Sequence, residues 1–411
     1  MSDPVVIIGG GAAGLMAAVT AAQRGSRVLV LERSEKPGKK LYLTGKGRCN
    51  VTNLCAPDEF LRNVVRNPRF LYAAINAFPP QRMIDTLQAL GCPTAVERGS
   101  RVFPESGKAS DVTRALTRRM EALGVAVRLN TRVQALQTEG GAVTGVTLEG
   151  GETIAAQAVI VCTGGVSYPS TGSTGDGYRL LERCGHTIIP PKPALCGLIS
   201  EESWIRNLQG LSLKNVRLTL TEGKKTLFSE IGEMLFTHRG ISGPLVLTAS
   251  SLMAGRKACA LTLDLKPGLT QEQLEQRVLR DLAGAGKKQM LSILRGLYPG
   301  ELAAKMAALA GIDPRLPACE LPKTARRTLV ALTKALPLPV TGAEPIETAV
   351  ITAGGADVKQ FNPSTMESKI VRGLYAAGEV LDVDALTGGF NLHIAFATGY
   401  LAACSVAQNE E

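Results

Sequence analysis

The sequence predicts an α/β protein in which a nucleotide-binding sheet domain is split by an inserted region of strands and helices. Three observations predict this class. Apolar runs alternate with helical stretches at the start of the chain, a glycine-rich turn separates the first strand from the first helix, and the same order of strand, glycines and helix returns near the end. With 411 residues, the chain is long enough for about two to three domains.

The chain opens with a predicted βαβ unit. Residues 5–8 form a continuous apolar run, which is typical of a buried parallel strand, and residues 15–24 form an Ala-rich helical stretch. Gly25 follows as a helix stop, and residues 28–31 form a second apolar strand. Such a unit indicates nucleotide binding.

Helices and then short strands are predicted for the rest of the first region. The short strands are separated by EGGA and EGGE, which are typical of hairpin turns, so we predict a meander that leads back into the parallel sheet at residues 158–162. The predicted helices cover residues 67–77, 80–90 and 109–123, and the predicted meander strands cover residues 125–129, 133–138, 143–148 and 153–155.

Composition changes at the proline-rich stretch 190–193, where we expect an insertion to begin. Its first part alternates in the manner of β-structure, and its second part has helical periodicity. The predicted domains are residues 1–190 and 345–411 for the sheet domain, and residues 191–344 for a substrate or cap region with a β part (191–268) and a helical part (269–344). The predicted helices of that part cover residues 271–282, 287–297, 302–309 and 323–332.

The composition excludes several classes of protein. With 45% hydrophobic and 20% charged residues, the chain is neither disordered nor fibrous. No apolar run reaches the ~18 residues that a membrane span needs and no signal peptide is evident, so we expect a cytoplasmic protein without membrane contact. Nine scattered cysteines without a CxxC pair, and only three histidines, argue against a disulfide framework or a metal site.

The net charge of +10 favours anionic partners, which range from a phosphate-bearing cofactor to nucleic acid or an acidic small molecule. A solvated basic surface that binds nothing would explain the net positive charge equally well. The net charge therefore does not identify the partner, and the motifs are more specific.

The glycine-rich turn GGGAAG has the spacing of a dinucleotide-binding motif. Gly9 permits the tight turn, Gly11 lets the backbone approach a pyrophosphate, and Gly14 lets the helix pack close to the strand. Glu32 ends the second strand, where a carboxylate accepts hydrogen bonds from ribose hydroxyls and repels a 2′-phosphate. The expected ligand of this site is FAD or NAD, not NADP.

A second strand–glycine–helix arrangement lies near the end of the chain. The apolar stretch VRGLYAAGE ends in Gly378 and Glu379, and Gly388 and Gly389 lead into an Ala-rich helix from about Asn391. Glu379 can reach ribityl hydroxyls, and the helix N-terminus can stabilise the negative charge of a reduced flavin. One FAD stretched between the two arrangements fits them better than NAD.

Six stretches carry a resemblance to a known family. They are GGGAAG (9–14), KPGKKLYLTGKGRCNVTN (36–53), RVFPESGKASDV (101–112), VIVCTGGVSYPSTGSTGDGY (159–178), LFTHRGISGP (235–244) and TAGGADVKQFNPSTMESKIVRGLYAAGEVLDVDALTGGFNL (352–392). The chain resembles the BaiN/RdsA family of FAD-dependent oxidoreductases, the YhiN-like flavoproteins. The resemblance implies a Rossmann-type FAD-binding domain, similar to that of glutathione reductase, with an inserted β plus helical substrate domain.

The resemblance also implies a set of cofactor contacts. TGKGRCNVTN would be a flavin-contacting loop, with Lys40 and Arg48 offsetting phosphate charge. Three residues depart from the family pattern, Lys46 in this loop and the pair His393 and Ile394 after GGFNL, of which His393 lies near the expected pyrimidine edge of the flavin. The implied contacts, in addition to Gly9, Gly11, Gly14 and Glu32, are Arg33, Lys40, Gly45, Arg48, Asn50, Asn53, Val133, Thr163, Gly164, Gly378, Glu379, Gly388, Gly389 and Asn391.

Three side chains are candidates for the chemistry. Cys49 is either a small residue packed by the flavin, which we prefer, or an acid that protonates a substrate carbon. His238, in FTHRGISGP, is either a hydrogen-bonded structural residue or one that binds or protonates the substrate. His393 is a candidate because of its expected place beside the flavin.

The resemblance implies three activities: reduction of a uridine in ribosomal RNA to dihydrouridine, reduction of steroid or bile-acid enones, and amine oxidation of the aminoacetone type. The positive charge favours RNA over a small-molecule substrate. NAD(P)H is the expected electron donor and would dock transiently, because no second GxGxxG is present. A non-catalytic flavin-bearing sensor is the remaining class, and the oligomeric state is left open.

Overall fold

A computed structural model describes residues 3–408, which divide into two compact units. The first unit contains the chain up to Ala194 together with the chain from Pro345 onward. The second unit is Leu195–Glu344. Each unit has a hydrophobic core of its own, so each is described separately.

The first unit is built on a five-stranded parallel sheet. Its strand order is Leu374–Ala376, Ala158–Val161, Val5–Ile8, Val28–Leu31 and Ala126–Arg128. Strands Val5–Ile8 and Ala158–Val161 are apolar at every position and fully buried, as expected when helices cover both faces of a parallel sheet. A strand from the end of the chain therefore completes the sheet that the start of the chain begins, and the predicted Rossmann-type α/β class is confirmed.

Two helices of this unit pack closely against each other. Helix Ala12–Gln23 follows the first strand, and Phe390–Gln408 lies along it. Gly399 makes the close approach possible, because an added Cβ atom would overlap the Ala13 carbonyl group. The other α-helices of the unit are Pro57–Arg62, Tyr72–Ala77, Pro80–Ala89, Ala109–Ala122 and Asp176–Arg183.

Smaller sheets surround the central one. Three of the four predicted meander strands form an antiparallel sheet, Val133–Glu139, Ala142–Leu148 and Thr153–Ala155. The assignment of 125–129 to the meander was wrong, because Ala126–Arg128 pairs in parallel with Val28–Leu31 at the edge of the central sheet. A second antiparallel sheet, which was not predicted, is made of Thr52–Asn53, Arg101–Pro104 and Thr94–Glu97. Short strands Val64–Arg66 and Asp384–Ala385 also pair.

The proline-rich stretch proves to be a strand. Ile188–Ala194 pairs with Ile351–Ala356 as a two-stranded antiparallel ribbon, with an irregularity between Ile189 and Lys192. Proline is tolerated there because a two-stranded ribbon has a free edge and the bulge omits ladder hydrogen bonds.

The second unit is an antiparallel sheet covered by helices. Its strand order is Leu336–Pro337, Cys259–Asp264, Ser212–Glu222, Lys225–Phe236, Gly240–Ser242, Leu198–Ile199 and Gly342–Ala343. Its α-helices are Ser203–Arg206, Pro244–Met253, Gln271–Ala283, Met290–Leu294, Gly300–Leu309 and Lys323–Lys334. Across residues 3–408, every helix is too short or too polar to cross a bilayer.

Candidate functional site

Predicted ligand residues gather at one edge of the central sheet. Gly9 follows strand Val5–Ile8, Glu32 follows Val28–Leu31, Thr163 follows Ala158–Val161, and Glu379 follows Leu374–Ala376. Because the four strands are parallel neighbours, their carboxyl ends lie at the same edge, which is where open α/β sheets bind ligands.

The first glycine turn has a crowded side and an open side. Gly9 has φ +103°, and an added Cβ atom would lie 2.6 Å from the Cys162 carbonyl oxygen. A Cβ atom at Gly14 would overlap the Gly9 carbonyl oxygen, whereas one at Gly11 would meet nothing within 4 Å. Gly11 caps helix Ala12–Gln23 without a side-chain hydrogen bond, so the first N–H groups of the helix face an open approach suited to a pyrophosphate.

Glu32 is held firmly at the neighbouring strand end. Its carboxylate is buried and accepts hydrogen bonds from the Gly10 and Ser34 N–H groups, each 2.7 Å long. The next residue, Arg33, binds Asp176 at 2.9 Å. Val133 begins a meander strand and is buried, beside Arg132, which also binds Asp176.

Glu379 is the centre of a polar network that joins four segments. It accepts hydrogen bonds from the Lys40 ammonium (2.6 Å), the Thr352 N–H (2.7 Å) and the Ser167 hydroxyl (3.2 Å). Lys40 also donates to Ser167 at 2.7 Å. Ser167 and Thr352 were missed as site residues, because no spacing in the sequence links them to Glu379. Gly164 borders the network, since a Cβ atom there would lie 3.9 Å from Glu379 Oε2.

This network yields a first prediction. Glu379→Ala leaves the Lys40 ammonium and the Thr352 N–H without their acceptor, so we expect the free energy of unfolding to fall by about 1–3 kcal/mol. Urea denaturation of the variant measures the change. Glu121→Ala, which removes an exposed carboxylate from helix Ala109–Ala122, is the matched control and should stay within about 0.5 kcal/mol of wild type. Equal stability of the two variants would contradict the structural importance of the network.

The loop from Thr44 to Asn53 contacts the turn before the last helix. Asn53 donates to the carbonyl oxygens of Gly388 (3.2 Å) and Gly99 (3.0 Å). A Cβ atom at Gly389 would lie 2.5 Å from the Thr52 carbonyl oxygen, and one at Gly45 would lie 3.1 Å from the Phe103 ring. The structure therefore brings together the two segments that were predicted to line the flavin.

The two cations expected to offset phosphate charge already have partners in the chain. Lys40 is paired with Glu379, and Arg48 forms an ion pair with Glu97 while its guanidinium lies 4.2 Å from the centre of the Phe103 ring. The Asn391 side chain is likewise engaged, with the backbone of Ala385. Gly378 allows its turn to pack on helix Ala12–Gln23, since a Cβ atom would lie 3.0 Å from Ala13 Cβ.

Buried polar atoms at the site test whether FAD fits these residues. Asn50 Oδ1 and Thr163 Oγ1 are buried and have no hydrogen-bond partner within residues 3–408. Buried polar atoms are nearly always hydrogen-bonded in folded proteins. A ligand with hydroxyl and N–H donors, as FAD has, can satisfy both acceptors, so these residues fit FAD.

Cys49 lies in the interior. Its side chain is fully buried, and burial raises the pKa of the thiol to about 12. A thiol in this environment stays protonated and unreactive at neutral pH. The environment supports the packing role that we preferred for Cys49 from the sequence.

The burial of Cys49 predicts its reactivity. In the native protein at pH 8, a maleimide should label the exposed Cys319 quickly and Cys49 only after denaturation. Peptide mapping by mass spectrometry after timed quenching measures both rates. Labelling of Cys49 as fast as that of Cys319 would contradict the buried position.

His393 is also enclosed. Its ring centre lies 5.1 Å from that of Phe60 and 6.0 Å from that of Phe78, and Nε2 is hydrogen-bonded to the Phe78 carbonyl oxygen at 3.0 Å. Burial lowers the pKa of the imidazole to about 4, so the ring is neutral at physiological pH. The ring packs among aromatic side chains, while Nδ1 is buried without a hydrogen-bond partner within residues 3–408, and a role of His393 in the chemistry stays a prediction.

His238 has a different environment from the other two candidates. It lies in the second unit, exposed, in the tight turn that joins Lys225–Phe236 to Gly240–Ser242. The Thr237 and Gly240 backbones close this turn. Its role in the chemistry stays a prediction.

A buried ion pair lies directly after the Glu379 turn. Asp384 is fully buried, and its Oδ1 lies 2.6 Å from Arg66 Nη1. Burial raises the pKa of the Asp384 carboxyl to about 6, although Arg66 opposes this. No sequence motif predicts this pair, because Arg66 and Asp384 are 318 positions apart.

A family model described as HI0933-like protein Rossmann domain matches residues 3–405 of this chain. The chain belongs to the HI0933-like family. It is also 31% identical over 408 residues to a 3-dehydro-bile acid delta(4,6)-reductase of Clostridium scindens, covering 98% of each chain. It is 30% identical over 401 residues to a ribosomal RNA dihydrouridine synthase of Escherichia coli, covering 97% of this chain and 96% of that one.

Among solved structures, the HI0933-like chain matches a 3-ketosteroid-delta4-(5alpha)-dehydrogenase from Rhodococcus jostii RHA1. The TM-score is 0.53 at 17% identity, with 98% of this chain and 96% of that chain covered, which shows a shared fold. The predicted family is confirmed, and the protein is an FAD-dependent oxidoreductase. Within residues 3–408, no group of three His, Cys, Asp or Glu side chains is placed to hold a metal ion.

Proposed function

We propose that this protein reduces a uridine of ribosomal RNA to dihydrouridine. The observation that carries the proposal is the surplus of positive charge, +10, in a chain with a full-length relative that is a ribosomal RNA dihydrouridine synthase. A polyanionic substrate makes more use of such a surplus than a small molecule with one negative charge or none. Because RNA is the substrate, we also propose that the protein acts in the cytoplasm.

The residues at the sheet edge have distinct roles in this proposal. The N–H groups after Gly11 hold the pyrophosphate of FAD, and Glu32 binds the ribose near its adenine. Glu379, fixed by Lys40 and Thr352, orients the ribityl chain. The N-terminus of helix Phe390–Gln408 presents its positive end to the flavin. FAD, when bound, would supply the hydride for the substrate double bond.

NAD(P)H is the electron donor in this proposal. Anaerobic mixing of the yellow protein with NADH or NADPH should bleach the flavin absorbance, and addition of an acceptor should restore it. Protein that is reduced by dithionite but by neither nucleotide would exclude NAD(P)H as the donor.

The test of the substrate uses RNA directly. Deproteinised ribosomal RNA from a strain that lacks this gene should contain less dihydrouridine than wild-type RNA, and the purified protein should restore it with reductant present. Unchanged dihydrouridine content in the deletion strain would exclude the RNA function.

A second candidate function is reduction of a bile-acid or steroid enone. The full-length similarity to the bile-acid reductase favours it, at 31% identity. The two substrates share one chemical feature, a carbon–carbon double bond conjugated to a carbonyl group. Enone reduction at a rate that is insensitive to salt, without activity on RNA, would favour this second function.

A further inference from the structure

Exposed cations lie on one hairpin of the first unit and on two segments beside it. Arg98 and Arg101 lie at the turn between strands Thr94–Glu97 and Arg101–Pro104, and both are exposed. Lys46 and Lys108 are exposed on the adjoining segments. None of these four forms a salt bridge within residues 3–408. We call these four cations the basic hairpin surface.

The acidic side chains nearby offset part of this charge. The hydrogen bond from Arg48 and the charge of Arg101 lower the pKa of Glu97, and the hydrogen bond from Ser106 and the charge of Lys108 lower the pKa of Asp111. Glu97, opposite Arg101 in the hairpin, is paired with Arg48. Glu105 is exposed, one residue after the second strand of the hairpin. The surface therefore keeps a positive excess, and unpaired, exposed cations are the groups that can bind phosphate without first breaking an internal ion pair.

Hydrogen bonds connect this surface to the predicted flavin loop. Asn53 donates to Gly99 O (3.0 Å) in the hairpin turn and to Gly388 O (3.2 Å) before the last helix. The Leu54 N–H donates to Ser100 O at 2.7 Å. The Asn53 side chain thus bridges the turn that carries Arg98 and the glycines that precede the last helix.

A buried aromatic ring lies beneath the surface. The Phe103 ring is buried, with the Arg101 guanidinium 5.9 Å and the Arg48 guanidinium 4.2 Å from its centre. Gly45, which precedes Lys46, packs close to the same ring, since an added Cβ atom would lie 3.1 Å from it. Cations held in fixed positions lose less conformational freedom when they bind an anion.

We propose that the basic hairpin surface binds backbone phosphates of the RNA strand whose uridine is reduced. This inference rests on the proposed function, and it locates the docking surface for that substrate. Phosphate contacts fix the position of a nucleic acid without reading its sequence. An enzyme that acts on a base must also take the base out of its stack, so phosphates on either side of the base need a firm hold.

The test compares two charge-reversal variants of the full-length flavoprotein. The first is Arg98→Glu with Arg101→Glu. The matched control is Arg27→Glu with Arg372→Glu, an equal charge change at exposed positions before strands Val28–Leu31 and Leu374–Ala376. Residues before parallel strands lie at the opposite edge of the sheet from the predicted site.

Two measurements are made on each protein, the affinity for a uridine-containing single-stranded RNA at several salt concentrations and the flavin content. The hairpin variant should bind RNA at least about tenfold more weakly. Its slope of log affinity against log salt should be smaller by about 1.4, as expected for two lost phosphate contacts. The control should bind as wild type does, and both variants should keep their flavin.

The other outcomes distinguish failure of the proposed docking surface from failure of the proposed reaction. RNA affinity equal to wild type in the hairpin variant, or an equal loss in both variants, rejects this docking surface. Suppose that wild type binds RNA and the hairpin variant binds it more weakly, but wild type forms no dihydrouridine on any ribosomal RNA. This outcome rejects the proposed reaction and supports the basic hairpin surface as an RNA-binding surface. Absence of RNA binding by wild type rejects both.

Discussion

Gly11→Ala should leave the protein folded and strip it of most of its flavin. The added Cβ atom meets no protein atom within 4 Å and the Gly11 backbone has φ −77°, so nothing in the chain opposes the substitution. The methyl group would instead fill the approach to the first N–H groups of helix Ala12–Gln23, where we propose the pyrophosphate binds. We expect FAD affinity to fall at least about 100-fold, or about 3 kcal/mol.

Gly14→Ala provides the contrast within the same turn. Its Cβ atom would overlap the Gly9 carbonyl oxygen, so the helix must move away from the strand, at a cost of about 1–3 kcal/mol or more. Flavin content, titration of the apoprotein with FAD and urea denaturation are measured for both variants. Gly268→Ala, whose Cβ atom also meets nothing within 4 Å, should change neither property. A Gly11→Ala protein that keeps full FAD affinity would disprove the assigned pyrophosphate position.

Arg66→Leu should be the most destabilising single change outside the glycine turn. It leaves the Asp384 carboxylate fully buried without its cation, and breaking such a pair typically costs about 3–5 kcal/mol. Urea denaturation at pH 7.5 measures this loss. Addition of Asp384→Asn to the variant removes the buried charge and should restore most of the stability. A double variant as unstable as Arg66→Leu would mean that the charge of Asp384 is not the cause.

The pH dependence of the same variant has a definite sign. The pKa of Asp384 is about 6 in the folded protein, above the ordinary aspartate value of 3.8. Between these values the folded state binds more protons than the unfolded state, so this group lowers stability as pH rises. Without Arg66, the pKa of Asp384 in the folded protein rises further, so the free energy of unfolding continues to fall up to a higher pH. The stability gap between Arg66→Leu and wild type should therefore narrow as pH falls toward 5.

The fold class could be predicted from the sequence because its signals are local. The buried strand at Val5–Ile8, the glycine turn and the meander each follow from residues that are close in the chain. The ribbon Ile188–Ala194 could not be predicted, because its prolines suit a strand only when its one partner, Ile351–Ala356, is known. The hairpin that carries Arg98 was missed because TAVERGSRVFP lacks the strict alternation of a half-buried sheet.

Some residues of the candidate site could be predicted from local sequence signals, and others could not. Gly9, Gly14 and Glu32 could be assigned from spacing, since one βαβ unit determines their geometry. Ser167, Thr352 and the Arg66–Asp384 pair depend on contacts between distant segments, which a single sequence does not encode in any spacing. The packing of the His393 ring against Phe60 and Phe78 could not be predicted either, because these residues are far apart in the chain, and its place beside the flavin stays a prediction.

The central sheet has a consequence for synthesis on the ribosome. Strands Ala158–Val161 and Leu374–Ala376 are neighbours in the sheet, yet the whole second unit is translated between them. Until the later strand emerges, the earlier one has an unpaired apolar edge, which is a site of aggregation in nascent chains. The second unit, whose core is complete by then, can fold while that edge is still open. Chaperone demand during translation should therefore concentrate on the first unit.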